Sequence, residues 1–148
     1  MLDKYFDELE IGTAFRSRCR TVTETDLVLF SAFSGDWYPL HTDKEYASRT
    51  PFGQRIAHGM LVLSVASGLI PIAPGVVVAF YGMEKVRFTA PVFIGDTIHV
   101  ETEVLEKKEK GPDMGVATIR QDVVNQRGEK VCTAVLKVLL NKKKPGVS

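Results

Sequence analysis

The sequence predicts an α+β domain in which an antiparallel sheet curls around a single apolar helix. Three observations carry this. Twenty-eight consecutive residues, Ile56 to Met83, contain no Asp, Glu, Lys or Arg. Pro71, Pro74 and Gly75 divide that run into a helical half and a β-like half. Four segments rich in Val, Ile, Thr and aromatics then follow one another, the first of them beginning inside that run. Their connections are turns too short for crossover helices, so neighbouring strands should run antiparallel.

Composition excludes several classes. The 148 residues make one domain over 1–148, with a core at about 5–140 and a flexible tail at 141–148. The chain is 45% hydrophobic and 25% charged, enough for a core and for solubility. Nineteen basic against 18 acidic residues give a net charge of +1, which rules out a broad footprint for nucleic acid. The uncharged run raises the question of a membrane span, for which ~20 apolar residues suffice. The prolines, with Ser64, Ser67 and Gly68, leave neither half long enough. The acidic start, MLDKYFDELE, lacks the apolar stretch of a secretory signal. Cys19 and Cys132 stand far apart without a CxxC partner, which points to a reducing compartment and away from a disulfide framework or cysteine zinc site. The expectation is a soluble cytoplasmic domain without nucleic-acid or membrane partners.

The elements follow in order. Ala14 to Val22 reads as one strand. Thr23 is placed to cap a helix, with Asp26 three residues on, and Leu27, Phe30 and Phe33 form its apolar stripe. Ser34-Gly35 ends it. Asp36 to His41 reads as a loop because of Pro39, and Thr42 caps a short helix reaching Ala47. Arg49 to Arg55, with Pro51 and Gly53, is another loop. The apolar helix should run from about Gly59 to Ile70, buried on every face. Strands are expected at Val76–Phe88, Thr97–Leu105, Gly115–Val124 and Lys130–Leu140. Ile98, Val100 and Val104 face inward, with His99 at the surface. The last strand is apolar on both sides, which hints at a partner subunit. Lys142, Lys143 and Lys144 read as a solvated end.

Chemistry concentrates in two places. Asp36 and His41 flank a proline-stiffened loop, and a carboxylate and an imidazole sharing a pocket can divide the two proton transfers of an addition–elimination. The plain alternative has Asp36 capping a turn and His41 bonding to backbone. Asp43 reads as an acid stabilising a helix N-terminus. His58 and Gly59 open the apolar helix, where the first N–H groups lack partners and favour negative charge. Such an amide could hold the enolate oxygen formed from a thioester, and Gly59 would let it approach; close packing is the alternative reason for the glycine. Ser64 and Ser67 lie further along, where a buried serine commonly bonds back to its own helix. His41, Asp43 and His58 could be assembled into a two-histidine, one-carboxylate metal set, but no motif spacing supports one and no metal is expected.

These motifs resemble a known family. Ser34-Gly35-Asp36-Trp37-Tyr38-Pro39-Leu40-His41-Thr42-Asp43, then Ile56-Ala57-His58-Gly59-Met60-Leu61, are similar to the signature segments of the MaoC-like dehydratases, which include the R-specific enoyl-CoA hydratases. Val86-Arg87-Phe88, Pro91-Val92 and Gly95-Asp96 extend the likeness, which covers about Tyr5 to Leu140. The resemblance implies a hotdog fold and a homodimer or higher homo-oligomer, with sheets joined edge to edge and acyl-CoA entering at the interface. It implies that Asp36 and His41 are the catalytic pair, that the Gly59 amide holds the thioester oxygen beside His58, and that Ser67 matches a serine found at the site in some members. One departure is Tyr38, where many members carry Asn; its ring either shortens the acyl pocket or turns outward.

The expected activity is reversible hydration of a 2-enoyl-CoA to the (R)-3-hydroxyacyl-CoA, with no cofactor beyond the substrate's own carrier. The rivals are a dehydratase for a branched or dicarboxylic hydroxyacyl-CoA, a non-catalytic hotdog subunit, and a hotdog thioesterase.

Overall fold

Alternating burial along the late strands builds the sheet. The computed structural model describes residues 1–144. Its strands are β1 (Ala14–Arg16), β2 (Arg20–Thr21), β3 (Val77–Phe88), β4 (Thr97–Glu109), β5 (Met114–Asn125) and β6 (Lys130–Asn141). All strand pairs are antiparallel, in the order β1-β4-β5-β6-β3, with β2 also on β4. The expected first strand is two short ones, broken at 17–19, where the Ser17 hydroxyl turns in to accept from the Val100 amide.

Helix α4 (Gly59–Leu69) lies in the curl of this sheet, the hotdog arrangement that the resemblance implies. Leu61, Val62, Val65, Ala66 and Leu69 form its inward stripe and pack with Ile98, Val100, Ile119 and Leu136. Each such side chain taken from water contributes roughly 1.5–3 kcal/mol. The helix is not buried on every face. Met60, Ser64, Ser67 and Gly68, spaced at helical intervals, stay exposed. Among the described residues strand β3 bonds to β6 only, which leaves its other edge open, and Val78, Phe80 and Tyr81 are exposed along it. The uncharged run therefore contains both the centre of the core and an open apolar edge. The longest helices have 11 residues, and no described helix is long and apolar enough to cross a membrane.

Helix α1 (Glu24–Ser34) starts at the Thr23 cap, whose side chain accepts from the Asp26 amide while Asp26 accepts from the Thr23 amide. Gly35 closes it in the left-handed region at φ 79°, donating to the Ser31 carbonyl. Its inner stripe is Leu27 and Ser31 with Phe30 beside them; Phe33, expected inside, is 91% exposed. The spacing i, i+4 governs here, and i+6 carries Phe33 round to solvent. Pro39 opens a one-turn helix, α2 (Pro39–Thr42), where a loop was expected, because its fixed φ suits a first helical position. Asp43, not Thr42, then caps α3 (Lys44–Ser48) by accepting from the Tyr46 amide.

Two further expectations are corrected. His99 points away from α4 as predicted but is buried, bonded to Glu101 at 3.0 Å in an outer groove beside Arg16 and Lys130. Asn141 completes β6, and the Lys143 amide donates to Asp7, so the chain is held past the predicted start of the tail. Residues 145–148 of the predicted tail lie outside the described residues.

Candidate active site

Three short segments meet over the N-terminus of α4. Asp36 follows the Gly35 cap directly, and its amide donates to the Ser34 hydroxyl. Its carboxylate accepts from the Tyr38 amide at 3.1 Å, which turns the chain into α2 and presents His41. The segment before α4 is clamped on both sides: the Ile56 amide donates to the Leu40 carbonyl, and the Ala57 amide to the Val92 carbonyl at 2.7 Å. This clamp delivers His58 and Gly59 beneath the Asp36–His41 turn. A carboxylate oxygen of Asp36 and one ring nitrogen each of His41 and His58 lie within 4.8 Å of one another.

Hydrogen bonds assign the two imidazoles different roles. His41 Nδ1 lies 2.7 Å from the Ile56 carbonyl, which can only accept, so Nδ1 carries a proton and Nε2 is the nitrogen that bears the lone pair whenever the ring is neutral. His58 Nε2 lies 3.1 Å from the Asp36 carbonyl and 3.1 Å from the Ser31 hydroxyl. By the same rule Nε2 holds the proton of His58, leaving Nδ1 as a buried acceptor without a partner among the described residues. His58 is 2% exposed, with the Phe30 ring 4.8 Å away on centroids. Burial pushes its imidazole below the ordinary value of 6.5, so it is neutral at pH 7.

Beside the half-buried His41 opens a cavity of about 460 Å³ lined by Ile56, Gly59, Met60, Phe88 and Val92. Gly59 is the first residue of α4 after the His58 cap, so its N–H is one of the unpaired first-turn amides. A Cβ at Gly59 would stand 2.8 Å from the Phe88 ring, which gives the glycine a steric reason. A second cavity of about 420 Å³ adjoins through Met60, which lines both, and runs along the open face of α4 past Ser64 and Ser67.

The structure thus brings together Asp36, His41, His58 and Gly59. Ser67 lies in the second cavity instead, its hydroxyl donating to the Ser64 carbonyl at 2.7 Å, while Ser64 donates to Met60. Tyr38 turns outward, half-exposed, with its hydroxyl 3.2 Å from that of Tyr46. It touches the site only through the edge of its ring, 6.1 Å from the His41 centroid. For a metal, the donors close enough to share an ion are Asp36, His41 and His58, because Asp43 is committed to capping α3. Ser31 is the member that sequence reasoning missed. The signal was its place one turn after Leu27 on the inner stripe of α1.

Known proteins share this sequence and fold. Residues 8–126 match the family described as MaoC like domain. Protein MaoC of Klebsiella aerogenes is 43% identical over 109 residues, 72% of this chain and 32% of that protein. The 3-hydroxybutyryl-CoA dehydratase of Methylorubrum extorquens is 37% identical over 69% of this chain and 64% of its own length. This chain therefore spans about a third of the first relative and just under two thirds of the second. The (R)-specific enoyl-CoA hydratase of Aeromonas caviae is 35% identical over 88% of this chain and 96% of its own. Among solved structures, a monoamine oxidase regulatory protein from Archaeoglobus superposes with a TM-score of 0.90 at 44% identity, covering 96% of this chain and 97% of the other. A Mycobacterium tuberculosis protein described as a double hotdog fold superposes at 0.87 with 23% identity, over 99% of this chain and 46% of its own. The chain belongs to the MaoC-like family and has the hotdog fold.

Proposed function

We propose that this protein is a hydro-lyase that reversibly adds water to a 2-enoyl-CoA thioester, giving the (R)-3-hydroxyacyl-CoA. The observation that carries this reading is the meeting of Asp36 with an imidazole whose Nε2 is free, at the mouth of an apolar cavity that begins at a helix N-terminus. Asp36 and His41 hold a water between them, and its oxygen adds to C3. The π electrons move toward the thioester, whose oxygen takes enolate charge beside the Gly59 amide. The pair takes one proton from the water and returns one to C2, so the site ends as it began. His58, buried and neutral, backs His41 rather than titrating. The chemistry needs no cofactor beyond the carrier of the acyl group. The second cavity, which shares Met60 as a wall with the first, takes the acyl chain.

The free edge of β3, with exposed Val78, Phe80 and Tyr81, supports a homodimer with the sheets joined there. Two free cysteines, Cys19 and Cys132, support work in a reducing compartment, the cytoplasm. The test of the activity is loss of enoyl absorbance with crotonyl-CoA and longer 2-enoyl-CoAs. Asp36→Asn and His41→Ala should each lower kcat by about 10²–10⁴-fold. Full activity in both variants would overturn the roles, and release of free thiol from acyl-CoA would point to thioester hydrolysis instead.

A further inference from the structure

The second cavity holds one feature that a plain hydrocarbon chain leaves unexplained. Its walls are apolar, among them Leu63, Phe80, Met83 and Leu136, yet Gln121 also lines it. Gln121 is 2% exposed, and what remains open of its side chain lines this cavity. The two serines on the wall are satisfied by their own helix, Ser64 donating to Met60 and Ser67 to Ser64. Directly across the strand pair from Gln121 stands Thr102, 3% exposed, whose hydroxyl has no partner among the described residues. A buried polar group left unpaired costs about 1–3 kcal/mol, and the Thr102 hydroxyl beside Gln121 is one. Of the two, Gln121 lines the cavity, which puts a carboxamide on an otherwise apolar wall.

We propose that Gln121 recognises an uncharged oxygen on the acyl chain, so that the preferred thioester carries a hydroxyl or carbonyl group beyond the reacting carbons. This deepens the proposed function and rests on that reading for the direction in which the chain enters. The uncharged class follows from the walls. Among the described residues no charged side chain lines the cavity, and a carboxylate buried there would have no cation from them to meet it. A carboxamide offers one acceptor and two donor hydrogens, which serves a hydroxyl or a carbonyl equally. The helix gives the depth: at about 1.5 Å per residue Ser67 lies roughly 12 Å beyond Gly59, which points to a chain of medium length.

The experiment is calorimetric titration with saturated CoA thioesters, which bind without turnover. Hexanoyl-, octanoyl- and decanoyl-CoA are each compared with their ω-hydroxy and ω-carboxy counterparts, on the wild type, Gln121→Leu and Gln121→Met. The expected result is that, at one length, the ω-hydroxy chain binds the wild type about tenfold more tightly than the methyl-ended chain, the size of one buried hydrogen bond made rather than unmade. That preference should disappear or reverse in Gln121→Met, whose similar shape covers a failure of the leucine variant to fold. Equal or tighter binding of the methyl-ended chain at every length overturns the proposal, as does a hydroxyl preference that survives in Gln121→Met. Tightest binding of the ω-carboxy chains overturns the uncharged class in favour of a dicarboxylic substrate. Hydration of crotonyl-CoA, run in parallel, reports on Asp36 and His41 alone, so failure of the activity is distinguishable from failure of this specificity.

Discussion

The ring of His41 lies stacked on that of His58, with centroids 3.9 Å apart and planes 27° apart. The arrangement gives the His41 ring a rigid backing. His41 is oriented by the Ile56 carbonyl at one nitrogen and by this stack on its face, while His58 is in turn fixed by Ser31 and the Asp36 carbonyl. A side chain locked in this way loses little freedom when substrate arrives, which is the basis of the first prediction.

Ser31→Ala removes a fully buried hydroxyl and leaves His58 with the Asp36 carbonyl alone. Stability should fall by about 1–2 kcal/mol, measured by denaturant unfolding. The kcat should fall more than KM rises, because the loosened ring is the one on which His41 rests. Unchanged kcat would show that the stack does not position His41.

The buried neutral state of His58 also makes stability depend on pH. Its folded pKa lies below the ordinary imidazole value of 6.5, so between the two values the unfolded chain holds the extra proton. Stability should therefore be complete above about 6.5 and decline as pH falls below it, by no more than about 1.4 kcal/mol per pH unit for one proton. Replacing His58 by Gln should flatten that part of the profile in a comparison of Tm against pH.

Gly59→Ala sets a methyl group 2.8 Å from the Phe88 ring. Phe88 is 52% exposed, so the ring can swing aside rather than unfold the chain. The displaced ring and the new methyl both crowd the amide that faces the cavity. Stability should change by less than about 1 kcal/mol, since alanine favours helix. The kcat/KM for crotonyl-CoA should fall by about tenfold or more. Equal losses in stability and activity would assign Gly59 to packing alone.

A stability hinge lies away from the site, at the turn before β4. Burial alone would raise the Asp96 carboxyl, but Arg127, Gln126 and the Phe93 amide together more than offset it and hold it below its ordinary 3.8. This contribution is present above that value and is lost as pH falls through the lower folded one. Asp96→Asn should destabilise the protein by about 1–3 kcal/mol at pH 7 and weaken its acid sensitivity, both read from unfolding curves.

Much of this was legible along the chain because it depends on neighbours in sequence. Thr23 and Asp26 cap α1 through groups three residues apart, and Gly35 ends it by its own backbone. The uncharged run, its prolines and the alternation of Ile98, Val100 and Val104 needed only periodicity. The Asp36–His41 loop and the His58-Gly59 helix start pointed to residues that the structure brings together, because candidate chemistry is carried by residue type and spacing.

Only the folded chain decided how those residues meet. Ser31 reaches His58 across 27 positions, and the Ile56 carbonyl that sets the tautomer of His41 is 15 away. Neither pairing leaves a local pattern, because hydrogen bonds between distant segments depend on where the sheet carries each strand. The same holds for the helix that was expected to be buried all round. Its apolar composition was plain, but the curl of the sheet covers only one side, so the stripe of Met60, Ser64 and Ser67 faces a cavity. Gln121 and Thr102 read singly as ordinary polar residues in strands. Strand register sets them opposite each other, with Gln121 buried on the wall of that cavity.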